Sequence, residues 1–196
     1  MALVGILLAA GSGRRFDPSG ARNKLLEVLP GGESVVAASA RNMLAALPKV
    51  IAVIGPEGEG VAGELRALGC EVTVCASAGN GMGASLAHAI SHSLPHADAW
   101  LIALGDMPHV RSSTIAALAR AVEQGSAIAV PTCGGRRGNP VAFGREHLAA
   151  LLALDGDEGA RHIVKANPVI EIEVGDPGIF QDIDTAADLK AQRDSG

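Results

Sequence analysis

LVGILLAAGSGRRF, residues 3–16, joins an apolar run to a glycine turn that carries two arginines. A continuous apolar run that ends at turn residues is the pattern of a strand buried on both faces, which needs helices above and below it. The rest of the chain supplies them. VIAVIG (50–55), EVTVC (71–75), AWLIALG (99–105), AIAVP (127–131), PVAFG (140–144) and VIEIEV (169–174) repeat the strand pattern. Between most of them lie segments of helical spacing: Ser34 to Ala46 sets Val35, Val36, Met43 and Leu44 on one broad face. Ser112 to Glu123 does the same with Ile115, Leu118, Ala119 and Val122, after a Ser-Ser-Thr start. GPEGEG (55–60) reads as a surface turn leading into a helix. Strands alternating with helices predict an α/β fold with a mostly parallel sheet between two helical layers.

In such folds ligands gather where the strands end at their carboxyl side. That rule selects GSGRRF (11–16), after the first strand, and GDMPHV (105–110), after the fourth. Gly11 and Gly13 let several backbone N–H groups converge without a side chain in the way, and Arg14 and Arg15 can add bidentate contacts to phosphate oxygens. The same residues also fit a tight turn with no ligand. Phe16 stands where a dinucleotide fingerprint needs a small residue, and no Gly-Lys-Ser/Thr is present, so neither the nicotinamide nor the Walker reading is met. FDPSGARN (16–23) is polar and turn-rich and predicts a loop that either closes over a bound triphosphate, bringing Lys24 and with it Arg22, or stays a solvated basic loop.

Asp106 follows a buried strand, a position suited either to Mg²⁺, which takes one or two protein carboxylates beside substrate phosphates, or to capping the next turn. Asp184 with Thr185 fits a helix N-cap, and Asp184 also fits a second metal ligand if the fold brings it to Asp106. His88, His92 and His96 recur every four residues, but Pro95 interrupts them and no further ligand motif accompanies them, so they predict a polar helix face.

Composition narrows the partner. A 196-residue chain with 48% hydrophobic residues can bury roughly 70% of its unfolded surface, enough for one domain with its own core. A net charge of −5, no Tyr, one Trp and three Phe provide neither the basic face nor the stacking platforms of a nucleic-acid binder. Cys70, Cys75 and Cys133 form no CxxC pair and suit a reducing, cytoplasmic setting. The N-terminal apolar run lacks the preceding Lys or Arg of a signal peptide, and no stretch approaches the ~20 apolar residues of a membrane span. The expected ligand is small.

Taken in order, LAAGSGRRF (8–16), NKLL (23–26), GNGMGASLAHAI (79–90), LGDMP (104–108), GNPVAFG (138–144), GDEGAR (156–161) and DIDTAADL (182–189) resemble the MobA-like nucleotidyltransferases. Within that family they look most like the molybdenum cofactor cytidylyltransferases, which join CMP to molybdopterin-bound molybdenum and release pyrophosphate. The resemblance implies a three-layer, Rossmann-like fold of the nucleotide-diphospho-sugar transferase type. It implies that Leu8, Ala9, Ala10, Gly11, Ser12, Gly13 and Arg14 hold the nucleotide, joined by Asn80, Gly81, Gly83 and Ser85 at base and ribose. Arg15, Lys24 and Asp106 are implied as catalytic, and Asp106 with Asp184 as ligands of Mg²⁺ or Mn²⁺. Ala10, where GTP users tend to carry Gly, implies CTP.

Two departures stand out. Phe16 replaces the family's usual Met, with Lys24 four residues later than usual, and Asn139 replaces a His before Pro140. Arg136, Arg137 and Asn139 are candidates for the acceptor side, where a changed specificity would register. Resemblance alone implies handover to a xanthine-dehydrogenase-like molybdoenzyme. Other acceptors such as a sugar or polyol phosphate, and a non-catalytic molybdenum cofactor chaperone, are the competing readings.

Overall fold

The run at 3–9 becomes β1 (Leu3–Leu8), flanked on both sides by parallel neighbours: β2 (Val50–Ile54) pairs it from Gly5↔Val50, and β4 (Ala99–Leu104) from Leu3↔Ala99. The computed structural model describes residues 1–194 except 12, 14, 15, 18, 20 and 21, with backbone alone at 191–194. The other strands are β3 (Glu71–Val74), β5 (Ile128–Cys133), β6 (Arg136–Arg137), β7 (Val141–Phe143) and β8 (Ile170–Glu173). They form one eight-stranded sheet in the order β3-β2-β1-β4-β7-β5-β6, with β8 pairing β5.

Alternation along β1 sorts the core. Leu3 and Leu7 face one helical layer, built around α1 (Val35–Leu44), α2 (Glu59–Leu68), α4 (Ser112–Glu123) and α7 (Ala186–Asp194). Val4 and Ile6 face the other, built around α3 (Met82–Ser93), α5 (Leu148–Leu152) and α6 (Arg161–Ala166). β4 alternates likewise, with Leu101 on the first side and fully buried Trp100 on the second, where its indole N–H donates to Ser93 Oγ (2.7 Å). The result is the three-layer α/β arrangement, mostly parallel.

Two features make the sheet mostly rather than wholly parallel. β7 runs antiparallel between β4 and β5 (Leu101↔Ala142, Ala129↔Ala142), because three residues of apolar pattern carry no information on strand direction. Cys133 and Arg136 pair across a two-residue hairpin turn at Gly134 and Gly135, both with positive φ (58° and 73°), the geometry of a primed turn. Since β5 remains parallel to β4 and β8 is parallel to β5, the ends of β1, β4, β5 and β8 share one edge of the sheet. Among the described residues no helix is long and apolar enough to cross a membrane.

Candidate active site

At the carboxyl end of β1, Ala9 is buried and donates its N–H to Val53 O (2.9 Å), which brings Ala10 and Gly11 to the sheet edge. Gly13 adopts φ +61°, and its carbonyl accepts from the N–H groups of Phe16 and Asp17 (2.9 and 3.1 Å). Phe16 is buried in the core below, so the aromatic ring in place of the family's Met anchors this loop. Ser12, Arg14 and Arg15 lie outside the described residues. Arg22 is committed elsewhere: its guanidinium donates to both Glu27 oxygens (2.8 and 2.6 Å) and lies 5.2 Å from the Phe16 ring. Arg22 braces the loop.

Lys24 opens a short 3-10 turn (Lys24–Leu26) that Asn23 caps by accepting from Leu25 N (3.0 Å), while Leu25 sinks into the core. The turn aims the lysine inward. Nζ donates to Asp106 Oδ2 at 2.6 Å and to Asp184 Oδ1 at 2.8 Å, so residues from three distant parts of the chain meet at one ammonium. Burial by itself would lower the Lys24 pKa, but the charges of Asp106 and Asp184 and their hydrogen bonds outweigh it and hold the group above its ordinary value. The lysine is charged throughout the neutral range.

Each carboxylate is held by its own scaffold. Gly105 N donates to Leu8 O (2.9 Å), Ser39 Oγ on α1 donates to Gly105 O (3.0 Å), and Asn42 Nδ2 donates to Pro108 O (2.9 Å), which clamps the turn bearing Asp106 between β1 and α1. Ile183, fully buried, donates its N–H to Asp106 O (2.9 Å) and ties the second carboxylate's segment to the first. Thr185, rather than Asp184, caps α7: Asp188 N donates to Thr185 Oγ1 (3.2 Å), and Asp188 Oδ2 accepts from Thr185 N (2.7 Å) and Asp184 N (3.1 Å). The hydroxyl bond from Thr185 leads the contacts that hold the Asp188 carboxyl below its usual range. The cap leaves the Asp184 side chain to Lys24. Of the pair that the sequence offers as an N-cap, Asp184 with Thr185, it is Thr185 that caps, and the Thr-x-x-Asp spacing at 185–188 is its signal.

Asp106 Oδ1 is buried and has no hydrogen-bond partner among the described residues. A buried carboxylate oxygen left unmade is costly, and a hard cation is one partner that suits it. Among the described residues no three His, Cys, Asp or Glu side chains gather to hold a metal alone. The two carboxylates fit a Mg²⁺ or Mn²⁺ ion that draws its remaining ligands from water and substrate oxygens.

The segment at 78–85 divides. Asn80 is exposed at the mouth of α3. Gly83 and Ser85 are buried, Gly83 N donates to Gly156 O (2.7 Å), and Ser85 Oγ points back at Gly81 O (3.4 Å). A Cβ on Gly83 would stand 2.5 Å from Asp155 O, and one on Gly81 would come too close to Gly156 O. Gly81 and Gly83 have to be small because the 155–157 loop packs on them. His88 and His92 form the expected polar face, meeting Thr73 (2.8 Å) and Glu71 (2.6 Å).

At the far side of the same edge, Arg136 and Arg137 part company. Arg137 pairs with Glu171 (2.6 Å), whereas the Arg136 guanidinium lies 4.5 Å from the centre of the Phe180 ring. Asn139 N donates to Ile179 O (3.0 Å), so Asn139 and Phe180 both belong to the shelf that leads to Asp184. Sequence reading missed Phe180, and also Asp176, whose buried carboxylate joins this shelf to the start of α4.

Known proteins share the fold. The bifunctional protein GlmU of Bradyrhizobium sp. (strain ORS 278) is 34% identical over 176 residues, which is 83% of this chain and 37% of that protein. The chain therefore spans little more than a third of that relative. The manganese complex of Rv0371c from Mycobacterium tuberculosis H37Rv superposes with a TM-score of 0.80 at 27% identity, covering 100% of both chains. A nucleotidyl transferase from Methanothermobacter superposes with a TM-score of 0.82 at 24% identity, covering 99% of this chain and 97% of that one, a likeness of fold. The sequence profile of the MobA-like NTP transferase domain matches residues 5–171, and the chain belongs to that family.

Proposed function

We propose that this nucleotidyltransferase moves CMP from CTP to the terminal phosphate of a molybdopterin-type cofactor and releases pyrophosphate. The observation that carries the reading is the meeting of Lys24, Asp106 and Asp184 beside the glycine turn that ends β1. An acceptor phosphate oxygen attacks the α-phosphorus of CTP, a new P–O bond forms, and the bond to the β-phosphate oxygen breaks with its electron pair leaving on pyrophosphate. The attacking oxygen is already anionic, so no strong general base is needed. The protein's work is alignment and charge neutralisation.

Asp106 and Asp184 hold the divalent cation, which when bound supplies Lewis-acid charge to the phosphate oxygens. The backbone at Ala10, Gly11 and Gly13, with Arg14 and Arg15, cradles the triphosphate, Leu8 and Ala9 shape the floor, and Asn80 and Gly81 meet base and ribose. Ala10 supports CTP over GTP. Arg136, with Asn139, faces the acceptor; Arg137, tied to Glu171, is a lesser candidate. The manganese complex of Rv0371c supports a divalent cation in this family.

Pyrophosphate release by the purified protein with molybdenum-loaded molybdopterin, Mg²⁺ and either CTP or GTP tests the reading. CTP is the expected donor, and Asp106→Ala should lower turnover at least about a hundredfold, as loss of a major transition-state contact does. Release from GTP alone would overturn the CTP assignment. No release from either, with nucleotide bound, would overturn the molybdopterin acceptor, and silence with sugar and polyol phosphates as well would overturn catalysis.

A further inference from the structure

The Lys24 ammonium occupies the space between the two carboxylates that the reading above assigns to the metal. Asp106 Oδ2 and Asp184 Oδ1 each contact the same nitrogen, at 2.6 and 2.8 Å, so the two oxygens are no farther apart than the sum of those distances. Two carboxylates this close repel each other, and the lysine supplies the charge that lets them coexist. The lysine side chain is only 11% exposed and the pair is part-buried, so solvent screens the repulsion poorly. A divalent cation cannot enter between the same oxygens while the ammonium holds them.

Resting on the assignment of Asp106 and Asp184 as the metal-holding pair, we propose that Lys24 is the resident counter-cation of this site. A cation–nucleoside triphosphate complex then moves its ammonium from the carboxylates to the triphosphate. Three features carry this. The ammonium is a point charge on a flexible stem, and can exchange one anionic partner for another without a fixed geometry. The stem passes beside the glycine turn: a Cβ on Gly13 would lie 3.7 Å from Lys24 Cγ, so the lysine already borders the backbone that would cradle the phosphates. Asp106 Oδ1, buried and without a hydrogen-bond partner among the described residues, is the oxygen the lysine leaves for another cation.

The consequence is a coupling. A metal ion alone must evict Lys24 with no anion to receive it, and binds weakly; arriving with a triphosphate, it brings the lysine's new partner. By linkage, the factor by which nucleotide strengthens metal binding equals the factor by which metal strengthens nucleotide binding. Lys24 thereby enforces uptake of metal and nucleotide together, and keeps the carboxylate pair closed to stray cations between turnovers.

Mn²⁺ titrations followed by the electron paramagnetic resonance of the free ion test this, on wild type, Lys24→Met, Lys24→Gln and the double variant Lys24→Met/Asp106→Asn, with and without CTP. Without nucleotide, both single variants should bind Mn²⁺ at least about tenfold more tightly than wild type, the ratio that about 1.4 kcal/mol represents. The double variant should lose that gain. CTP should strengthen Mn²⁺ binding in wild type by a larger factor than in Lys24→Met. Removing a positive charge should also lower the melting temperature of the metal-free protein and enlarge the rise on adding Mn²⁺, which verifies that each variant is folded. Single variants that bind Mn²⁺ no better than wild type would overturn the counter-cation role. An unchanged CTP factor in Lys24→Met would overturn the transfer to triphosphate. None of these readouts requires turnover, so failure of cytidylyl transfer leaves the metal exchange standing, and the converse holds.

Discussion

Asp176→Ala should be the most destabilising single substitution at the edge of the site. The Asp176 side chain is 3% exposed and accepts from Arg111 N (2.9 Å), Thr114 Oγ1 (2.6 Å) and Gly178 N (3.0 Å). Two of those donors belong to the start of α4, where a negative charge also meets the positive end of the helix dipole. Truncation leaves the donors without their acceptor. A hydrogen bond to a charged group contributes about 1.5–3 kcal/mol, and losses within one cluster are not additive, so about 3–5 kcal/mol is expected in all. For a chain of this size each kcal/mol lowers the melting temperature by about 2–4 °C, so the shift is roughly 6–20 °C. Asp176→Asn keeps the shape and one acceptor oxygen and should cost about half as much. Urea unfolding of both variants beside wild type measures this. An Asp176→Ala protein within about 1 kcal/mol of wild type would refute the claim that this carboxylate pins the 176–183 shelf to α4.

Gly83→Ala drives a methyl to 2.5 Å from Asp155 O, where backbone on both sides must move, and should cost about 1–3 kcal/mol; Gly63→Ala, in α2 with nothing within 4 Å of its Cβ, should gain about 0.5–1 kcal/mol. Thermal unfolding that shifts both variants in one direction would refute the packing explanation for Gly83. Cys70 offers a pH test: burial pushes its thiol up to about 11 from an ordinary 9.0. The fold favours the protonated form, so the stability it contributes is complete below about pH 9 and is lost as pH rises through about 11. Cys70→Ala should flatten that alkaline decline, and a thiol reagent at pH 8 should label part-exposed Cys133 ahead of buried Cys70 and Cys75 in the native protein. Equal labelling of all three would refute it.

What could be read in advance was whatever repeats locally. β1, β2 and β4 announce themselves because a strand buried on both faces must be apolar at every position, and their ends mark where Asp106 has to stand. β7 was legible as a strand but not in its direction, since VAF reads the same either way and only its place between β4 and β5 makes it antiparallel. The packing that demands a small residue at Gly83 could not be read locally, because the 155–157 loop lies seventy positions downstream. Arg136 and Arg137 are neighbours with one chemistry. Glu171 on β8 and Phe180 on the shelf give them different roles.

Convergence is the hardest thing to see in one dimension. Lys24, Asp106 and Asp184 each had a local explanation available: a solvated basic loop, a turn cap, a helix cap. Local rules could not choose among them, because each side chain's role is set by the other two. Once Ile183 N binds Asp106 O and the Asn23-capped turn points Lys24 inward, all three local explanations fail together. The capping work falls to Asn23, Thr185 and Asp188. A cap beside a charged residue is thus a sequence signal for a site. At 23–24 and at 184–188, a short polar residue satisfies the backbone while the adjacent ionised side chain is left to seek a partner across the fold.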